Sequence, residues 1–366
     1  TYAWAIRSKE IDQIEAGLLP NPVAGFEIEN FAGSGDLSGF RSAETTITLS
    51  QLIELGDKRM KRRQLASSDR NLARWDYEVK RVDLLSQTAM IYAEVLGDQE
   101  RLTIANEIRE LAKEVYETVK KRVEAGKVSR LEEIKARVEL SKSQLSHINA
   151  ERQLTISRQN LVTSWGGTDV TYNRVEGDFY NISSIPQLAS IVNKINNNPD
   201  LARWATEVSR HQNAITLARA DTIPNISVSA GVRHLNETDD VAAVASISIP
   251  LFLFDKKRTG VQRSEVGLNQ ASKQRQITET RLRSALLIAY QRLNILHNEV
   301  TTLNDEILPG AKEAFNAATK IYRLGKLDLL GLLDAQRTYF ETRQQHIESV
   351  KEYHRIVIAI ERLIGS

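Results

Sequence analysis

The 366-residue chain contains no cysteine. Disulfides, thiolate metal sites and cysteine nucleophiles are therefore excluded, and a chain without stray thiols suits an oxidising compartment. Proline and glycine are scarce, at 7 and 18 residues, which speaks against a loop-rich or disordered chain. Lysine plus arginine (49) nearly balance aspartate plus glutamate (47), so no global field argues for nucleic acid. No run of roughly 18 uncharged apolar residues occurs, so no helix is expected to span a bilayer. Any membrane attachment must come from strands or from something the sequence does not show. A signal peptide is missing too. The chain opens at Thr1 inside a helical pattern (Ala3, Trp4, Ile6, Ile11, Ile14), and a processed or trimmed N-terminus is expected.

The groups an enzyme needs are also missing. The six histidines, His147, His211, His234, His297, His346 and His354, lack metal-ligand spacing apart from the loose His346/His354 pair. Those two lie two turns apart on what reads as an exposed helix, and such a pair more often decorates a surface than holds zinc. Gly33-Ser34-Gly35 is not followed by a phosphate-loop lysine. No carboxylate stands isolated in an apolar context that would shift its pKa. No catalytic residue, metal ligand set or cofactor site is identified. The basic run Lys58–Arg63 could bind nucleic acid, but its place beside a predicted membrane strand points to interfacial anchoring.

What the chain does contain is a repeat. Ala16-Gly17-Leu18-Leu19-Pro20-Asn21 leads into an alternating segment, a Gly-rich turn, a second alternating segment and the helix start Gly56-Asp57-Lys58-Arg59. Ala220-Asp221-Thr222-Ile223-Pro224-Asn225 opens the same series, which ends at Asp255-Lys256-Lys257-Arg258. Asp57 to Gly126 and Lys256 to Gly325 are both 69 positions, predicting two helices of equal length, each ~100 Å at ~1.5 Å per residue. Apolar stripes at alternating spacings of four and three mark side-by-side helix packing: Ala289, Leu293, Leu296, Val300, Leu303, Ile307, and likewise Ile104, Ile108, Leu111, Val115, Val119. Pro309, inside the second long helix, predicts a kink.

The predicted first repeat covers 1–166, with a hairpin at about 22–52, a long helix at about 57–124, a tip turn at 125–129 and a return helix at 130–165. An irregular insert covers 167–198. The second repeat, 199–366, has its hairpin at about 225–250, long helix at about 256–323, tip turn at 324–328 and return helix at 329–364. Helices alone fit a structural rod or tether equally well, but a rod has no need of two equivalent hairpins. Strands of nine or ten residues with apolar and polar faces match a tilted bilayer crossing. Four strands cannot close a barrel, so strands in membrane demand several copies.

At Ser248-Ile249-Pro250-Leu251-Phe252 with Arg258, and at Gly325-Lys326-Leu327-Asp328-Leu329-Leu330-Gly331-Leu332-Leu333-Asp334-Ala335-Gln336-Arg337, the chain resembles the TolC-like outer-membrane efflux proteins. Ala16–Pro22, Glu27-Ile28-Glu29-Asn30-Phe31, Gly33-Ser34-Gly35, Ala43-Glu44-Thr45, Leu49-Ser50-Gln51 and Ile53–Arg59 look like the CzcC-type ducts of cobalt–zinc–cadmium efflux systems. The resemblance implies a mostly α fold with a small β part, assembled as a trimeric 12-stranded β-barrel on an α-helical barrel tunnel. It implies a homotrimer in outer-membrane lipid, a periplasmic adaptor and an inner-membrane RND pump as partners, and heavy-metal cations as cargo. A multidrug duct of the same family is the alternative. The insert corresponds to an equatorial belt, and Pro250 and Arg258 to the strand-to-helix turn. Gly126, Lys127 and Val128, with Gly325, Lys326 and Leu327, match the adaptor-docking tips; a plain C-cap glycine is the other reading. Asp334 matches a luminal gate aspartate, with a solvated helix carboxylate as the alternative, and Glu132 and Tyr322 match latch positions. Two positions depart from the family pattern: Gly331 replaces a second aspartate and Leu327 a latch arginine.

Overall fold

Helix dominates because long stretches carry no breaker. α2 runs unbroken over Lys58–Glu124, a span with no proline and a single glycine, Gly97. The computed structural model describes residues 2–254 and 257–365. In chain order the elements are α1 (Tyr2–Glu15), β1 (Val23–Glu29), β2 (Glu44–Ile53), α2, α3 (Arg130–Ser164), α4 (Leu188–Asn193), α5 (Pro199–Ala220), β3 (Ile226–Leu235), β4 (Asp240–Ser248), α6 (Arg258–Thr302), α7 (Leu308–Arg323) and α8 (Leu329–Ile364). Asp255 and Lys256, where the sequence opens the second long helix, lie outside the described residues.

A π-helical turn, Leu303–Ile307, joins α6 to α7. Pro309 has no N–H, and its ring crowds the carbonyl four residues back; the wider turn accommodates it. The extra residue in that turn rotates the helix face. Leu293, Leu296, Val300 and Leu303 are buried as their stripe predicts, whereas Ile307 is exposed.

The chain divides into two compact units that cut across the sequence repeats. The first comprises Thr1–Val79 with Pro199–Glu279, and the second Lys80–Asn198 with Thr280–Ser366. In the first, both hairpins join one antiparallel sheet of order β1-β2-β3-β4. Beside it, Arg203 pairs with Asp76 at 2.6 Å and Arg210 with Asp69 at 2.5 Å, tying α5 to α2.

In the second unit the helices pack around small apolar clusters. One contains Ile104, Val300, Phe340, Ile347 and Val350 together with Phe179 from the insert. The irregular insert has no ladder of its own, so its backbone must find side-chain partners. Gln99 donates to the Val175 carbonyl and accepts from the Val175 N–H. Tyr353 Oη donates to the Ser183 carbonyl at 2.9 Å, and His354 Nε2 contacts the Phe179 carbonyl at 2.8 Å. His346 is buried and stacks on Tyr180 with centroids 5.3 Å apart. These two histidines are thus not surface decoration. The helix that reads as exposed is covered by a segment without periodicity.

Candidate functional site

The candidate residues fall on three parts of the fold: the sheet, the strand-to-helix turns and the helix breaks. Register places Glu27, Glu29, Glu44, Thr46, Thr48, Ser50, Ser229, Arg233 and Ser246 on one face of the sheet. The other face carries Phe26, Ile28, Ile47, Leu49, Val228, Val232, Val241 and Ile247, all exposed, with Thr45, Gln51 and His234 the polar residues among them. Val241 and Ile247 are 71% exposed and Phe26 67%. An uncovered apolar face over four strands is too large for a surface in water and suits lipid.

On the polar face one base joins three strands. Arg233 donates to Thr46 Oγ1 at 3.0 Å, Glu44 Oε2 at 2.7 Å and Glu29 Oε2 at 3.1 Å. A guanidinium fork suits such a site because it offers several fixed donors. Among the described residues, no helix is long and apolar enough to cross a membrane, and no group of three or more His, Asp or Glu could hold a metal ion.

The basic run that follows β2 is divided: Arg59 and Arg63 stay exposed, whereas Lys58, Lys61 and Arg62 turn inward and are not free for the interfacial anchoring expected of the run. Lys58 is 5% exposed, and its Nζ donates to the Ile223 carbonyl and Asn225 Oδ1, both at 2.5 Å. Lys61 donates to the Gly56 carbonyl at 2.8 Å. Arg62 forks onto both oxygens of Glu54, and this contact holds the Glu54 carboxyl below the ordinary carboxylate range. These cations brace the turn. In the second repeat, Pro250 follows β4 and Arg258 opens α6, both exposed.

The two helix breaks share one backbone pattern. Gly126 has φ 67° and Gly325 φ 73°, the left-handed conformation that glycine adopts without a Cβ penalty. Gly126 N–H donates to the Val123 carbonyl and Lys127 N–H to that of Arg122. Gly325 N–H donates to Tyr322 and Lys326 N–H to Ile321. Val128 and Leu327 turn inward onto a cluster of Val119, Ala136, Ala318, Tyr322, Leu329 and Leu332. Lys127 and Lys326 stay exposed, and a Cβ at either glycine would meet nothing within 4 Å. Each tip leaves its glycine and lysine exposed, and at the second the exposed Asp328 offsets the lysine's charge.

Asp334 is exposed and accepts from Arg337 Nη2 at 2.6 Å, within its own helix. Glu132 lies in the first turn of α3. Tyr322 is buried, and its hydroxyl has no well-aligned hydrogen bond among the described residues. Burial raises its pKa, while the Arg122 charge opposes the rise. Arg122 is the residue sequence reasoning missed. Its guanidinium lies 4.7 Å from the Tyr322 ring centroid and donates to the carbonyls of Tyr322 and Arg323 at 3.1 and 3.2 Å. It thereby caps the end of α7 from the first tip. Gly331 and Leu327, the two departures from the family pattern, meet in space: a Cβ at 331 would sit 2.7 Å from Leu327 Cδ1. Either position limits the other.

A family model described as outer membrane efflux protein matches residues 7–167 and 191–366. The cobalt-zinc-cadmium resistance protein CzcC of Cupriavidus metallidurans is 29% identical over 363 residues, 98% of this chain and 85% of CzcC. The nickel-cobalt-cadmium resistance protein NccC of Alcaligenes xylosoxydans xylosoxydans is 23% identical over 256 residues, 70% of this chain and 58% of NccC. Among solved structures, the transmembrane channel CusC superposes with a TM-score of 0.82 at 17% identity, covering 100% of this chain and 88% of CusC.

Proposed function

Because the chain belongs to the outer membrane efflux protein family, we propose that it is the outer-membrane exit duct of a tripartite pump, passing heavy-metal cations from periplasm to exterior. The single observation that carries this reading is the two-faced sheet, with its apolar face uncovered and its polar face lined by carboxylates. Open strand edges are intolerable in lipid, and four strands are too few to close. Three copies supply twelve strands, a barrel with its apolar face to the bilayer and its acidic face to the lumen. The helices form a periplasmic tunnel. The exposed Gly126 and Gly325 tips dock a periplasmic adaptor, which couples the duct to an inner-membrane RND pump. Asp334, with Glu132 and Tyr322, contributes to a periplasmic gate, where a ring of carboxylates concentrates cations.

Metal cargo is supported by the resistance named for CzcC and NccC. The duct is a passage, and selection of the ion belongs to the pump. The test has two arms. Single-channel conductance in planar bilayers and a trimer mass in detergent are expected; a monomeric, non-conducting protein would mark a rod and sink the duct reading. A deletion strain should become sensitive to zinc, cadmium or cobalt. Sensitivity to drugs alone would make the protein a multidrug duct.

A further inference from the structure

We infer that the outer edge of β4 pairs with the outer edge of β1 of a second copy in one register, Ser246 opposite Glu27 and Ile247 opposite Phe26. The reason is that the chain already contains this joint between its own repeats. The inference rests on the duct reading and adds to it which residues of two copies meet.

Within one chain the repeats join along β2 and β3, where Thr48 faces Gly231, Leu49 faces Ala230 and Ser50 faces Ser229. The hairpins themselves are equivalent. Pro20-Asn21 corresponds to Pro224-Asn225, and the internal registers agree, since Val23 faces Ser50 while Ser227 faces Ser248. β1 is therefore the counterpart of β3, and β4 of β2. Carried across, Ser246 (for Thr48) faces Glu27 (for Gly231), Ile247 (for Leu49) faces Phe26 (for Ala230), and Ser248 (for Ser50) faces Gly25 (for Ser229). This register keeps the faces intact: Ile247 and Phe26 both lie on the apolar face, and Ser246 and Glu27 both on the polar one. A slip of one residue would set Ile247 against Glu27 or Gly25 and turn a strand inside out.

The joint must lie between copies. β1 and β4 are the two outer strands of the sheet, roughly 14 Å apart at about 4.8 Å per strand.

The segments flanking the strands repeat the same joint. Within the chain, the β2-to-α2 turn sits on the α5-to-β3 connection through Lys58. Ile223 packs there so closely that a Cβ on Gly56 would lie 2.8 Å from its Cδ1. The counterparts of these two segments leave apolar side chains exposed. Leu19 stands where Ile223 does and is 65% exposed, while Leu253 and Phe254 of the β4-to-α6 turn are 68% and 99% exposed. Each is half of a contact whose other half belongs to the next copy.

The absence of native cysteine makes the register directly readable. The full chain carrying Glu27→Cys and Ser246→Cys is oxidised in membranes and run on a non-reducing gel. The monomer band should be lost to dimers and trimers that reductant restores, because directly opposed positions bring Cβ atoms within disulfide range. Glu27→Cys with Ser248→Cys, or with Val244→Cys, sits two residues off on the same face and should lag. If the first variant does not assemble, Ile28→Cys with Ala245→Cys reads the same register from the apolar face. Preferential linkage of a shifted pair overturns the inference and leaves the duct reading standing, as does failure of every pair in a protein that is trimeric by mass. A wild-type chain that is monomeric and non-conducting removes both.

Discussion

Arg122 holds together two segments 200 positions apart. Charge-assisted hydrogen bonds to helix-end carbonyls contribute about 1.5–3 kcal/mol each, and the guanidinium also lies on the Tyr322 ring. Arg122→Ala is therefore expected to raise basal single-channel conductance by freeing one tip from the other. Arg122→Lys should restore closure only in part, because an ammonium has neither the fork nor the flat face. Unchanged conductance in both variants would show that the cap has no part in closure. His346 is held against the Tyr180 ring. Burial lowers its pKa, so between its ordinary value of about 6.5 and the lower folded value the unfolded chain binds the extra proton. Stability is then lost as pH falls through that window. The thermal midpoint should drop between pH 7 and 5, and His346→Phe, which keeps a ring against Tyr180, should show a smaller drop.

At the scale of elements, pairs of side chains decide how helices and strands hold. Lys351 of α8 is 6% exposed, with its Nζ 3.8 Å from Asp98 of α2. Its stem occupies the space that a side chain at Gly97 would fill. Burial lowers the Lys351 pKa, and the Asp98 charge opposes the shift. Removing a buried partner costs up to about 3–5 kcal/mol, and the half-exposed Glu348, 3.7 Å from the same Nζ, offsets part of that loss. Asp98→Ala should thus destabilise by up to that order in urea unfolding, and adding Lys351→Met should recover most of the loss. An equal loss in both variants would mean the pair is uncoupled. In the sheet, Val232 is exposed on the apolar face. Val232→Arg should cost about 2–4 kcal/mol in lipid and lower the outer-membrane yield, while Ser229→Arg on the polar face should leave yield intact. Equal yields would place the sheet outside the bilayer.

At the scale of the whole molecule, an assembled barrel would expose Glu27, Glu29 and Glu44 to the lumen, with Arg233 engaging only the last two. The duct should therefore favour cations. Glu27→Gln should shift the reversal potential in a potassium chloride gradient toward zero, and no shift would exclude Glu27 from the conduction path. Much of this architecture is legible in the sequence because it is local and periodic. Strand alternation, the heptad-like stripes, the absence of breakers from α2 and the repeated glycine breaks at 126 and 325 are all written in neighbouring residues. The pairing of β2 with β3, the inward turn of Lys58, the burial of His346 under the insert and the Arg122 cap are not. Each joins residues far apart in the chain, and no short-range period encodes such a contact. The sequence by itself determined which segments are helix, strand and turn, and that they occur twice. Only the tertiary structure decided which charged and aromatic side chains face each other, because their burial depends on elements that arrive from the other repeat or from the insert between them.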